Sequence, residues 1–291
     1  MSSRLHRRPI AVLLALLLLV GCSISEQQEI QMGRQLHPKF EQQFGGKVPD
    51  AAVQQYVDSV GQRMAQHAGR PNLDWQFAVL NSDEVNAFAV PGGYIYITQG
   101  LLSRLENEAQ LAGVLGHEAA HVAKRHSVRQ LERARATQGV SAVVGVVGSV
   151  FGVGSAGSLA GLALNLSNMK YGRGQEKESD LEGLRYMAAA GYNPRGMVET
   201  MQIMQSAAKG KGGPEFLSSH PNPGNRVEYL TEAIEKKYPA AAQQNTFAAD
   251  NFRRGVTGRS YLAVPAGGGE PSAPASAMQP PPPNVISRPR R

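Results

Sequence analysis

The chain has 291 residues, 42% of them hydrophobic and 18% charged, which is long enough for one large domain or two small ones with a substantial core. Its one cysteine excludes an internal disulfide framework and a structural metal site built from several thiolates. The formal charge of +7 sits at the ends: apart from Arg4, Arg7, Arg8, Arg288, Arg290 and Arg291, 24 Lys and Arg face 23 Asp and Glu, which excludes the concentrated basic face of a nucleic-acid binder.

Residues 1–21 read as a signal peptide. A basic start is followed by eleven apolar residues at 10–20 and then by small Gly21. The apolar run is short for a membrane span, which needs roughly 20 residues. The cysteine stands where the run ends, in Leu19-Val20-Gly21-Cys22. This resembles the bacterial lipoprotein signal, which implies lipidation of Cys22 as the first mature residue. Ser23, in place of Asp, then implies anchoring to the outer membrane, facing the periplasm.

A polar helix is expected over residues 26–44, marked by Ile30, Leu36 and Phe40. Pro49-Asp50 opens a second helix, with Val53, Val57, Val60 and Met64 at spacings of three and four. Residues 75–80 alternate like a strand, and 85–98 read as two short strands around a Pro91-Gly92-Gly93 turn. A long helix is expected over 107–130, with Asn107 and Gln110 as its N-terminal capping pair. Residues 136–169 carry no charge and seven glycines. They predict a mobile helical hairpin packed over the domain and gating its cleft, with a membrane-dipping segment as the alternative. Further helices are expected at 176–190, 194–208 and 224–237. Eight of the 18 prolines and a glycine triplet fall in 263–291, which predicts a disordered or polyproline-like tail. The domain therefore runs from 22 to 262. It is predicted to be a predominantly helical α+β fold, with a small sheet from 74–98 beside a central helix.

That central helix carries His117-Glu118-Ala119-Ala120-His121. Residues four apart share a helical face, so two imidazoles can reach one metal ion from one rigid element. Glu118 stands beside them, placed to act on water at the metal. Leu111, Val114, Leu115 and Val122 make the helix apolar enough to be buried, where two histidines and a carboxylate are costly unless ligated. His126 falls on a different face of an unbroken helix and is expected at the surface. A third ligand should come from another element. Glu176-Lys177-Glu178-Ser179-Asp180-Leu181-Glu182 opens a later helix, with Glu176 and Asp180 on one face. Read alone, such an acidic start complements the helix dipole. Paired with the upstream motif, Glu176 completes the metal site, with Glu178 as its rival, and Asp180 accepts the outer N–H of a ligand histidine.

These motifs resemble the gluzincin zinc peptidases. Asn86-Ala87-Phe88-Ala89, Pro91-Gly92-Gly93, Gly100-Leu101-Leu102, Glu108-x-x-Leu111, Leu115-Gly116-His117, Gly191-Tyr192-Asn193-Pro194 and His220-Pro221 narrow the resemblance to the M48 family of Ste24- and HtpX-type proteases, in its periplasmic lipoprotein branch. It covers roughly residues 30–240, with Ser179 where many relatives have Ala. The resemblance implies one Zn²⁺ per chain held by His117, His121 and Glu176, with Glu118 as general base. It places His220 near the active site, either stabilising an oxyanion or occupying the open zinc position. Arg226 is expected to be a structural ion-pair partner. Asn86, Ala87, Phe88 and Ala89 would lie on the edge strand that takes substrate backbone as an added strand. The implied activity is a zinc metalloendopeptidase cleaving misfolded or unassembled envelope proteins in the periplasm. A metal-containing, chaperone-like module for outer-membrane proteins is the alternative. An integral-membrane protease is a third reading, disfavoured by the single short apolar run.

Overall fold

A computed structural model describes residues 23–138, 156–207, 215–221 and 225–256. Residues 1–21, expected to be a signal peptide, Cys22, residues 139–155 of the glycine-rich segment and the proline-rich tail lie outside them.

Ser25 opens helix α1 (Glu26–Gln43): its hydroxyl accepts the N–H of Gln28, and the Gln28 side chain accepts the N–H of Ser25. Asp50 caps α2 (Ala51–Ala65) by accepting from the N–H groups of Ala52 and Val53. Three short strands follow, β1 (Gln76–Leu80), β2 (Ala87–Val90) and β3 (Tyr94–Thr98). Their spatial order is β1-β3-β2, with β1 parallel to β3 and β2 antiparallel to it. The β2–β3 turn needs its glycines: Gly92 and Gly93 have φ of +89° and +101°, and a Cβ on Gly93 would lie 3.3 Å from the Asp74 carbonyl oxygen.

The alternation of side chains assigns each strand residue to a layer. Phe77, Val79, Ala87, Ile95 and Ile97 join a core with Val53, Val57, Val60 and Met64 of α2. Ala78, Leu80, Phe88, Val90, Tyr94 and Tyr96 join another with Met32, Leu36 and Phe40 of α1. The sheet is thus buried on both faces.

After a short α3 (Gln99–Leu102), the chain enters α4 (Glu108–Ala123), buried from Glu108 to Val122. Asn107 caps it by accepting the N–H of Gln110, 2.9 Å away. Glu108, at its first turn, accepts from the hydroxyls of Tyr56 and Tyr192 at 2.6 and 2.5 Å and from Arg63 at 2.6 Å. The helix expected over 107–130 is two helices. Arg125 takes the left-handed conformation (φ +55°), and a separate helix, α5 (His126–Gln138), starts after it. The guanidinium of Arg125 donates to Glu29 at 2.8 Å and to the carbonyl of Ile24, whose N–H in turn donates to Glu132 of α5 at 2.7 Å.

From the glycine-rich segment, α6 (Ala156–Ser167) is described, and its Leu162, Ala163 and Leu166 are buried in the α1 layer. Then come α7 (Arg173–Ala189), α8 (Arg195–Ala207), α9 (Glu215–Ser219), α10 (Arg226–Lys237), α11 (Pro239–Gln243) and α12 (Ala249–Gly255). Helices α7 and α8 pack directly on α4. The result is the predominantly helical α+β class with a small mixed sheet. No helix among the described residues is long and apolar enough to cross a membrane.

Candidate metal centre

Helix α4 presents His117 and His121 one turn apart, with their Nε2 atoms 3.0 Å from each other. Where α7 crosses α4, Gly183 of α7 faces Gly116 at backbone contact, and this close approach delivers Glu176 from the start of α7. Its Oε1 lies 3.4 Å from His121 Nε2, and its Oε2 lies 3.6 Å from His117 Nε2. His220, following α9, adds Nδ1 at 3.2 Å from His117 Nε2 and 3.0 Å from Glu176 Oε1. All four side chains are buried, and one ligand atom of each lies within 4.8 Å of every other. Glu178, the rival to Glu176, turns outward to Lys124 and His126 instead.

Glu118 is fully buried beside this group. Among the described residues neither of its carboxylate oxygens has a hydrogen-bond partner, and the nearest cationic candidate is His220 Nε2 at 3.5 Å. Burial raises its pKa, with His220 and His117 pulling the other way. Burial likewise pushes His121 well below the usual imidazole range. For His220, burial opposes protonation, but the Glu176 and Glu118 carboxylates outweigh it and raise its pKa.

The outer nitrogen of His117 is held by Asp180, whose Oδ1 lies 2.9 Å from Nδ1. Asp180 is buried, and Arg226 grips it through two bonds of 2.8 and 2.6 Å. The Tyr229 hydroxyl also donates to it. Burial alone would raise the Asp180 carboxyl, yet Arg226 and His117 hold it well below the usual carboxylate range. Arg226 also places Nη1 3.0 Å from Glu176 Oε2, an ion pair without hydrogen-bond alignment. It is the buried cation set against two buried carboxylates.

These donors fit a cation. An Nδ1–H donated by His117 to Asp180 leaves a lone pair on Nε2, which faces His121 Nε2, Glu176 and His220 among buried side chains. Such a convergence of buried lone pairs and a carboxylate on one point is what a bound cation would complete. Two aromatic rings wall the group off: Tyr171 lies on His121 with centroids 3.9 Å apart, and Phe216 stacks on His220 at 4.3 Å.

The expectation of a surface position for His126 is corrected. It is 1% exposed, and its Nδ1 lies 2.9 Å from Nδ1 of His121. The break at Arg125 swings it back. Tyr171, Phe216 and Tyr229 carried no recognisable signal in the sequence.

Strand β2 pairs only with β3 among the described residues, so its other edge is free of a strand partner. A cavity of 310 Å³ opens beside it, lined among others by Phe44, Glu84, Asn86, Phe88, Leu164 and Glu215. Asn86 and Phe88 face this cavity, whereas Ala87 and Ala89 pack towards the α4 layer.

A helix bearing His117, Glu118 and His121, crossed by a helix bearing Glu176, defines a zincin-like metallopeptidase fold. The sequence model of peptidase family M48 matches residues 51–234, and the chain belongs to that family. It is 30% identical over 235 residues to the beta-barrel assembly-enhancing protease of Escherichia coli (strain K12), across 77% of this chain and 47% of that protein. It is 30% identical over 210 residues to the mitochondrial metalloendopeptidase OMA1 of Schizosaccharomyces pombe, across 66% and 57%. The metalloendopeptidase OMA1 of Bos taurus is 29% identical over 175 residues, across 57% of this chain and 34% of its own. The chain spans about half the length of the curated relatives it matches.

Proposed function

We propose that this chain is a zinc-dependent metalloendopeptidase. The carrying observation is the pairing of Glu118, whose two buried oxygens have no hydrogen-bond partner among the described residues, and a His117–His121–Glu176 donor set. A tetrahedral zinc with bonds of about 2.0–2.1 Å holds its ligand atoms about 3.3 Å apart. Donor separations here run from 3.0 to 3.6 Å: 3.0 for His117–His121, 3.4 for His121–Glu176, 3.6 for His117–Glu176, 3.2 for His117–His220 and 3.0 for His220–Glu176.

Bound zinc supplies a Lewis acid and a lowered pKa for water. Glu118 takes a proton from the water that attacks the peptide carbonyl and returns it to the amine nitrogen as the C–N bond breaks. Asp180 fixes the tautomer of His117, Arg226 keeps Asp180 anionic, and His220 and His121 do the same for Glu176. The aim of His220 Nδ1 at the donor set supports its role as a fourth ligand in a resting state rather than as an oxyanion donor. It must swing aside for substrate. The free edge of β2, residues 86–89, would take the substrate backbone as an added strand.

The substrates we assign are misfolded or unassembled envelope proteins, β-barrel precursors among them. The support is likeness to proteins named for enhancing β-barrel assembly. The signal-like residues 1–21, with Cys22 as lipid attachment, would hold the domain at 22–262 on the periplasmic face of the outer membrane, with 263–291 as an appended tail. A chaperone-like role without proteolysis would leave Glu118 without purpose.

Glu118→Gln decides between them. The variant should bind one zinc like the parent while cleavage of unfolded casein falls by about 10²–10⁴-fold. Cleavage at the parental rate, or parental cleavage that survives exhaustive chelation, would overturn the assignment.

A further inference from the structure

His121 faces two ways. Its Nε2 points to Glu176 and His117. Its Nδ1 points away from the donor set, 2.9 Å from Nδ1 of buried His126. The other nitrogen of His126, Nε2, lies 3.1 Å from Oε2 of Glu178, which is 41% exposed and paired on its second oxygen with Lys124 at 3.3 Å.

One arrangement of protons lets neutral His121 offer a lone pair from Nε2. Its Nδ1 must then carry hydrogen and donate to His126 Nδ1. That nitrogen must be an acceptor, so the His126 proton sits on Nε2 and is donated to Glu178. We infer that Glu178 and His126 form a carboxylate–imidazole relay that fixes the tautomer and ring orientation of His121, and that both are positioning residues for the metal.

The two helix α4 imidazoles are therefore supported differently. His117 rests directly on a buried carboxylate that Arg226 compensates. His121 rests on a second imidazole, and its carboxylate stands at the surface. The left-handed turn at Arg125 makes this possible: in an unbroken helix His126 would point elsewhere. Ser179 Oγ, 3.3 Å from His126 Nδ1, steadies the same ring edge. An outer hydrogen-bond partner of a ligand histidine contributes about 10–100-fold to metal affinity.

The inference rests on the proposed zinc site, and one experiment separates the two. The apparent zinc affinity of the purified full chain is measured by competition with a chromophoric chelator, together with the visible spectrum of the Co²⁺-loaded protein. His126→Phe, which fills the ring volume without an acceptor, should weaken zinc binding by about 10–100-fold and shift the Co²⁺ bands, with the melting temperature of the metal-free form little changed. Glu178→Ala, at a half-exposed position, should weaken binding in the same direction by less. Glu178→Gln, which keeps an acceptor, should recover much of the loss. Zinc bound by His126→Phe as tightly as by the parent overturns the relay and leaves the zinc site standing. Should His126→Phe fail to fold, equal affinity in Glu178→Ala and the parent overturns it instead. A parent that binds no zinc overturns both.

Discussion

Arg226 shows how much a single side chain carries here. It is fully buried and set against Asp180 and Glu176. Removing one partner from a buried charge cluster leaves the others uncompensated, which costs about 3–5 kcal/mol. Arg226→Met should therefore lower the urea midpoint by an amount equivalent to about 3–5 kcal/mol. Lysine should not restore it, because a point charge cannot reproduce the two-pronged grip on Asp180. A loss within the range of an ordinary surface substitution would contradict this account. Much at this scale was legible beforehand. The four-residue spacings on α4 and α7 dictated that His117 and His121, and Glu176 and Asp180, share faces, and the structure brings these faces together. The helical period puts His126 at the surface only if the helix is unbroken, and it breaks at Arg125. A left-handed arginine carries no mark in the sequence, whereas glycine or asparagine would have.

Among elements, the contacts around α4 decide the geometry of the site. At Gly196 of α8, a Cβ would lie 2.6 and 2.7 Å from the carbonyl carbon and oxygen of Ala109, at the far end of α4 from the histidines. Gly196→Ala must push two backbones apart, with an expected cost of about 1–3 kcal/mol by thermal denaturation and little change in zinc affinity. At Gly183 a Cβ would stand 3.1 Å from the backbone nitrogen of His117. Gly183→Ala should weaken zinc binding as well, because it moves α7 relative to the very residues whose ligands must converge. Equal effects of the two substitutions on metal affinity would refute the distinction. The strands and longer helices followed from periodicity. Helices α3, α9, α11 and α12 did not, being too short for a period to register. The start of α7 at Arg173 was missed because the residue before it is Gly172, which has no capping side chain; Gln175 accepts its N–H at 3.0 Å instead.

For the molecule as a whole, the interior holds four side chains whose ligand atoms converge as a metal site requires. A ligand bound only by the native state adds about 2.7 kcal/mol when present at a hundred times its dissociation constant. Chelation should therefore lower the melting temperature of the parent and of Glu118→Gln alike, and leave that of His117→Ala unchanged. An unaltered melting curve for the parent after verified metal removal would count against the site. The fold class and family were readable from the sequence because the chemistry-bearing words are dense between residues 86 and 221.

The first described turn has a mechanical consequence. Ile24 is pinned at its amide by Glu132 and at its carbonyl by Arg125. A lipid on Cys22 would sit two peptide steps away, a leash of about 7 Å. So short a mooring, while leaving the body free to turn about its one attachment point, would keep it close against the leaflet, so that cleavage falls on polypeptides that come to the membrane surface. Inserting ten flexible residues after Ser23 should leave casein cleavage in solution intact while changing which membrane-bound chains are cut.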